Sequence, residues 1–504
     1  MNTLPEVSEA LQGLEPISLW RYFHALTQIP RASGNEQAAM AYMAAWAEEN
    51  GFKWTKDGAN LCIKVPATKG YENRPAICLQ GHIDMVPAKT PDKIHDFAKD
   101  PIKTIRDVDK NGEEVIRADQ TTLGADNGIG LAGAMAIATD PEAIHGPLEL
   151  LITSDEEKGL SGIFQLDLKK LEMTSSTLIN LDNEQLGETG IQSAGLKTIT
   201  GTRQIDRESS APAQKGSYYK LTITDLPGGH SAKNIADGIP NAIKAMAAVL
   251  KPLETSMRLV SITGGERENG IPITCEAVAF VPEDQEVAFA TQNIERDAMA
   301  IIKGHGGKIK IEQLNPEEAT CTTMTEQTHS AILSVLADVY SGVDKKHPDF
   351  NMPFTSRNLG TVRTGATDVK VEVSMRSPAA TEIERVDAEI SGILNQNGFT
   401  ITTNFQLPAW NADPKSSLVA AVNQAYKDVT GKTAILGGTH GALEPSMITQ
   451  ELSNHLGGIP IESVAFGPEI HRPHSPSEDV NIKSVEVFYK QLKRTLELQA
   501  TQPN

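Results

Sequence analysis

Cysteine is scarce in this sequence. Cys62, Cys78, Cys275 and Cys321 are scattered along 504 positions and none forms a C-x-x-C pair, which argues against a disulfide framework and fits a reducing compartment. No apolar run reaches the roughly 18 residues of a membrane span. The opening MNTLPEVSEALQGLEP carries acids and lacks a basic stretch followed by an apolar core, so no export signal is read there. Basic residues are also in deficit, 46 Lys and Arg against 65 Asp and Glu for a net charge of −19, and the acids are dispersed. That balance argues against nucleic acid or an anionic membrane as partner. These absences lead to the expectation of a soluble, cytoplasmic chain, long enough for two or more domains.

Between Pro75 and Asp182 the sequence alternates short apolar runs (AICLQ, LELLIT, STLINL) with helical stretches such as GIGLAGAMAIATD, as parallel α/β units do. From about Ser193 to Thr402 the pattern changes. Period-two alternation at Tyr219, Leu221 and Ile223, and at Val369, Val371, Val373 and Met375, predicts antiparallel strands. Helical stripes accompany them at Ile243, Met246, Ala247 and Leu250, and at Ile383, Val386, Ile390 and Leu394. After Thr402 the α/β character returns in SVAFGPEI, and Val485, Phe488, Leu492 and Leu496 predict a closing helix. The expected fold is therefore α/β: a mixed-sheet catalytic domain formed by residues 1–195 and 402–504, interrupted by an inserted α+β lid domain at 196–401. The insertion is long enough to hold two similar sheet-plus-helix halves.

Acids and histidines stand at the ends of the apolar runs, where open α/β sheets gather ligands in a crevice. LQGHIDMVP puts His82 and Asp84 on one face of an extended chain, so that one can bind metal while the other orients its imidazole. Taken alone, H-x-D is also ordinary strand-end polarity. In TTLGADNGIG, Gly124 and Gly128 bracket Asp126, whose carboxylate could bridge two cations or, with Asn127, simply cap the following helix. LLITSDEEKG places Asp155, Glu156 and Glu157 together, a crowding that cations relieve or that leaves one carboxyl protonated for acid-base work. A solvated acidic turn ahead of a helix is the plain alternative. Asp182 closes STLINLD, a third run delivering an acid, and GPEIHRPHSPSE supplies His474, with His471 read as loop surface. Two histidines and three carboxylates suit two zinc ions bridged by Asp126, with His82 and Asp182 on one, His474 and Glu157 on the other, and Glu156 as base.

The blocks IPRASGNEQ, LQGHIDMVP, HDFAKDPI, TTLGADNGIG, HGPLELLITSDEE, LINLDNE, GGHS and PHSPSEDV, in this order, resemble the aminoacylase/carboxypeptidase family of co-catalytic zinc hydrolases over nearly the whole chain. The resemblance implies the same ligand set (His82, Asp126, Glu157, Asp182, His474), Asp84 as the histidine-orienting acid and Glu156 as general base. It also implies that His230 of LPGGHSAKN stabilises the tetrahedral oxyanion, and that Asn358, Arg376, His440 and Glu444 line the substrate pocket. The implied reaction is metal-dependent hydrolysis of dipeptides, Xaa-His and broader Xaa-Xaa. Two divalent ions would take part, zinc first, with manganese or cobalt as alternatives, in a homodimer formed through the lid. A tripeptidase, an N-acyl amino-acid deacylase and an inactive binding protein are the alternatives. The sequence departs from the family pattern at SDEE and TGTRQIDRESSAP, which leaves substrate preference less determined than reaction type.

Overall fold

A computed structural model describes residues 6–209, 215–286, 289, 294–315 and 322–502; Cys321 lies outside them. The chain forms two compact units. The first holds the residues up to Gln192, Trp410–Gly438 and the chain from Leu443 onward; the second holds Ser193–Ala409 and Thr439–Ala442. The strand Thr400–Leu407 pairs along Gly195–Gln204 and belongs to the second unit.

The first unit is built on a mixed sheet. Its centre is parallel: Ile77–His82 lies between Leu148–Thr153 and Thr177–Asn180, and Glu462–Ala465 runs parallel to Thr177–Asn180. Lys53–Lys56 and Leu61–Val65 add antiparallel strands at one side. The six residues of Leu148–Thr153 are all buried, as expected of a strand covered on both faces. One of them is Glu149, whose carboxylate accepts hydrogen bonds from Lys64 Nζ at 2.6 Å and from the backbone and hydroxyl groups of Thr174 and Ser175. The helix Ala125–Thr139, buried along most of its length, and the closing helix Ile482–Thr501 contribute Ile129, Ile137, Phe488 and Leu492 to the core. A smaller antiparallel sheet joins Ile470–His471, Asp479–Asn481, Glu114–Ala118 and Thr104–Val108. Residues 472–478 form the loop of its first hairpin and carry His474.

The second unit is built on a large antiparallel sheet with helices, beside a two-stranded sheet of Arg207–Ser209 and Thr322–Met324, and the large sheet repeats itself. Gly216–Thr224, the helix Ala242–Leu250, Arg258–Gly264, Cys275–Pro282, the helix Ile294–Ile302 and Lys308–Leu314 make one half. Gly195–Gln204, the helix Glu326–Asp338, Pro353–Thr364, Asp368–Ser377, the helix Ala380–Gln396 and Thr400–Leu407 make the other, the first half being inserted after its opening strand. The sheet reads outward from its middle in the same order on both sides. The halves meet where Thr263 and Gly264 pair with Arg363 and Val362. Leu221, Ile223 and Ala277 from one half, and Val371, Val373 and Met375 from the other, lie in one continuous core.

Candidate metal centre and a second polar cluster

Parallel strands end on the same edge of a sheet, and here three of them end in ligand-type side chains. His82 closes Ile77–His82, Glu156 and Glu157 follow Leu148–Thr153, and Asp182 follows Thr177–Asn180. Asp126 comes from the mouth of the helix Ala125–Thr139. Its backbone is extended (φ −77°, ψ 114°), as a capping residue's would also be, but its two carboxylate oxygens turn to His82 and His474, and among the described residues neither accepts a helix N–H. Asn127 instead donates to Leu181 O at 2.7 Å.

His82 Nε2 lies 2.9 Å from Asp126 Oδ1 and 3.4 Å from Asp182 Oδ1. His474 Nε2 lies 3.1 Å from Asp126 Oδ2 and 2.9 Å from Glu157 Oε1. Asp126 thus turns one oxygen to each histidine, and each histidine nitrogen faces a second carboxylate. Ligand atoms of His82, Asp126 and Glu157 fall within 4.8 Å of one another. Such a set of imidazole nitrogens and carboxylate oxygens fits divalent cations. Asp84 is fully buried and holds the arrangement from behind. Its Oδ1 is 3.3 Å from His82 Nδ1, and its two oxygens accept the N–H groups of Glu156 and Glu157 at 3.1 and 3.2 Å.

The electrostatics are those of acids crowded out of water. Burial, reinforced by Glu157, Asp182 and Glu444, pushes Glu156 well above the usual carboxylate range against the opposing pull of His82. Burial does the same to Asp182, aided by Asp126. Asp126 goes the other way: burial alone would raise it, but hydrogen bonds with His474 and His82 hold it well below. Burial opposes the charge of His474, yet Asp126 and Glu157 raise it to about 11. A cation among these acids would act like the imidazolium charges and favour their ionised forms.

Beneath this cluster lies a polar layer not read from the sequence. Asn180 accepts the Asp182 N–H at 3.3 Å and donates to Gln80 Oε1 at 2.7 Å; Gln80 and Thr153 both donate to Glu444 Oε2. All four side chains are buried, and Glu444 Oε1 has no hydrogen-bond partner among the described residues. Gln80 and Asn180 stand two residues before His82 and Asp182, so the polar interruptions in AICLQGH and STLINLD were the available signal. Arg31 and Glu478 were likewise quoted within motif blocks without a role, and both are buried beside Asp126.

The remaining site residues divide between the units: Glu444 is in the first, while His230, Asn358, Arg376 and His440 are in the second. Asn358 and Arg376 sit on adjacent paired strands, where Ser356 is opposite Arg376. His440 Nε2 is 2.7 Å from Ser356 Oγ. Burial, and then the charge of Arg376, lower His440 to about 3. Arg376 is 5% exposed, its Nε has no partner, and no ion pair reaches it among the described residues. Burial lowers its pKa to about 10. Asn358 donates to Glu268 O and Gly270 O at 3.1 and 2.8 Å, and Gly270 forms a β-bridge with His230. His230 Nδ1 accepts the Ala232 N–H at 3.1 Å.

A mixed sheet carrying a cluster of histidines and carboxylates at its strand ends, with an antiparallel insertion, fits the class of two-unit α/β metallopeptidases. The chain belongs to peptidase family M20/M25/M40, whose model matches residues 78–498, and is thus a hydrolase of peptide bonds. It is 32% identical over 501 residues to the cytosol non-specific dipeptidase of Escherichia coli (strain K12), covering 96% of this chain and 98% of that one. It is similar to the crystal structure of aminoacylhistidine dipeptidase from Vibrio alginolyticus, with a TM-score of 0.80 at 31% identity over 97% of this chain and 98% of that one. A tripeptidase from Staphylococcus aureus shares the fold at 16% identity, with a TM-score of 0.55 over 97% of this chain and 100% of that one. Among the described residues no helix is long and apolar enough to cross a membrane.

Proposed function

We propose that the chain is a dipeptidase that holds two divalent metal ions, zinc first, and hydrolyses Xaa-His and other dipeptides. The observation that carries this reading is Asp126, whose two oxygens face two histidines, each with its own further carboxylate: His82 with Asp182, His474 with Glu157. That is the donor set of a carboxylate-bridged pair of ions. Similarity to two proteins named as dipeptidases supports the choice of substrate.

When bound, the ions would lower the pKa of a water and polarise the scissile carbonyl. Glu156, ionised when cations neutralise the surrounding acids, accepts the proton of the attacking water and returns it to the departing amine. Asp84 keeps the His82 ring oriented and the Glu156–Glu157 turn in place. His230 is the proposed donor to the tetrahedral oxyanion. Arg376, buried without a carboxylate partner, is the proposed receptor for the free carboxylate of the dipeptide, beside His440 and Asn358. Glu444, with one oxygen unpartnered, is the remaining pocket residue. A homodimer through the inserted unit and cytoplasmic residence complete the reading.

The test is to strip the protein with a chelator, reload it with zinc or manganese, and assay Xaa-His dipeptides, tripeptides and N-acetyl amino acids. Metal-dependent cleavage of dipeptides is expected. Turnover of tripeptides or N-acyl substrates alone would keep the centre and overturn the substrate. Two bound ions without turnover would favour a binding protein.

A further inference from the structure

Asp126 can bridge two ions only if the turn that carries it is fixed before they arrive, and two charged side chains outside the ligand set are arranged to fix it. Arg31, 1% exposed, donates through Nη1 to Ile83 O at 2.8 Å and Asp84 O at 3.2 Å, and through Nη2 to Gly124 O at 2.5 Å. It therefore ties the chain just after His82 to the turn just before Asp126. Glu478, 2% exposed, accepts four successive backbone N–H groups of that turn. Leu123 and Gly124 donate to Oε2 at 2.7 and 3.0 Å, and Ala125 and Asp126 donate to Oε1 at 2.8 and 3.3 Å. Because Glu478 closes the loop that begins after His471, it ties the His474 segment to the same turn.

Two glycines make room for this packing. Gly124 has φ +70°, and a Cβ there would meet Arg31 Nη2 at 2.5 Å and Met85 Sδ at 2.8 Å. A Cβ on Gly128 would meet Arg31 Nη2 at 2.7 Å. The G-A-D-N-G spacing thus admits a guanidinium between the strand end and the turn, which is a more specific requirement than a flexible loop.

We propose that Arg31 and Glu478 are positioning residues that lock the Gly124–Asp126 turn to the His82 and His474 segments, and so hold the bridging carboxylate ready for both ions. This rests on the two-ion reading above. Neither side chain touches a ligand's donor atom in the hydrogen bonds described; both act on the backbone that aims Asp126. Replacing such supporting partners costs about 10- to 100-fold in metal affinity.

The test uses the full chain, metal-stripped, carrying Glu478→Gln or Arg31→Lys. Zinc titration by calorimetry against a competing chelator gives stoichiometry and affinity, and melting of the metal-free protein gives stability separately. We expect zinc affinity to fall about 10- to 100-fold in each folded variant, with kcat lowered more than KM is raised. A purely structural role would lower the metal-free melting temperature and leave affinity at the parental value, and that result would overturn the proposal. Hydrogen exchange on the unaltered metal-free protein decides the matter should a variant not fold. The amides of Ala125 and Asp126 should exchange as slowly as those of the central strands, and exchange at the rate of a surface loop would sink the idea. A parental protein that binds fewer than two zinc ions would instead refute the two-ion reading, while the exchange measurement would still judge the brace.

Discussion

The two polar clusters fail to balance their charge in opposite senses. In the first unit, Asp126, Glu156, Glu157 and Asp182 crowd round His82 and His474, with Glu444 buried close enough to raise the pKa of Glu156. In the second, Arg376 is buried without any carboxylate partner among the described residues, beside a histidine kept neutral. Burying charge is costly unless it is compensated. On the function proposed above, divalent ions would compensate the first cluster and the free carboxylate of a dipeptide the second, and the comparison can be broken at either end.

The largest effect is expected at Glu156. Glu156→Gln keeps the size of the side chain and every metal ligand but cannot accept a proton. It should lower kcat about 10²- to 10⁴-fold, the range of general acid-base catalysis, while zinc stoichiometry stays at two. Loss of zinc from the variant would reassign Glu156 as a ligand, and unchanged kcat would remove it from the mechanism.

A smaller effect is expected at Arg376. A hydrogen-bonded charge on a buried guanidinium contributes about 1.5–3 kcal/mol, so Arg376→Ala should raise KM for dipeptides about 10- to 100-fold with bound metal unchanged. Dipeptide amides, which lack the negative charge, sharpen the comparison. The parental protein should bind them poorly, and the variant should lose little further. Equal loss on acids and amides would assign Arg376 to the packing of the strands Pro353–Thr364 and Asp368–Ser377 instead.

These two regions were unequally legible in the sequence. His82, Glu157 and Asp182 of the candidate metal cluster stood out because they follow apolar runs, and parallel pairing brings such ends to one edge. For Asp126, whose roles as bridge and as cap were both open, the distinguishing observation is that its two oxygens turn to His82 and His474 rather than to helix N–H groups. The second cluster was named only through family resemblance. Antiparallel strands leave no common end, and Asn358, in the middle of its strand, is brought toward Arg376, near the end of the neighbouring one, only through their pairing. His440 and Glu444 are close in sequence yet fall in different units, which spacing alone does not show. Gln80, Asn180, Arg31 and Glu478 were passed over because a buried polar residue looks in sequence like any strand or loop polar residue. Its role appears only when partners as distant as Glu478 and Leu123 are brought together. The duplicated sheet was anticipated only by length, since the repeat lies in the order of elements and one half interrupts the other.

The smallest effect is expected at an acid that already has its counter-charge. Glu149 lies on the same strand that leads to Glu156 and is 2% exposed, yet Lys64, Thr174 and Ser175 satisfy it. Burial alone would raise its pKa, but the Lys64 and Ser175 hydrogen bonds hold it below the ordinary value. A depressed folded-state pKa means that its stabilisation is fully present above the unfolded glutamate value, about 4.3, and is lost as pH falls through the folded value. Glu149→Gln should therefore cost about 1–2 kcal/mol near neutral pH, measured by urea unfolding, and progressively less below about pH 4. Because no cation is needed to balance this carboxylate, the cost should be the same in metal-stripped and zinc-loaded protein. A penalty that grows when metal is bound would mean that the compensated and uncompensated acids of this sheet form one coupled network, and the contrast between them would have to be redrawn.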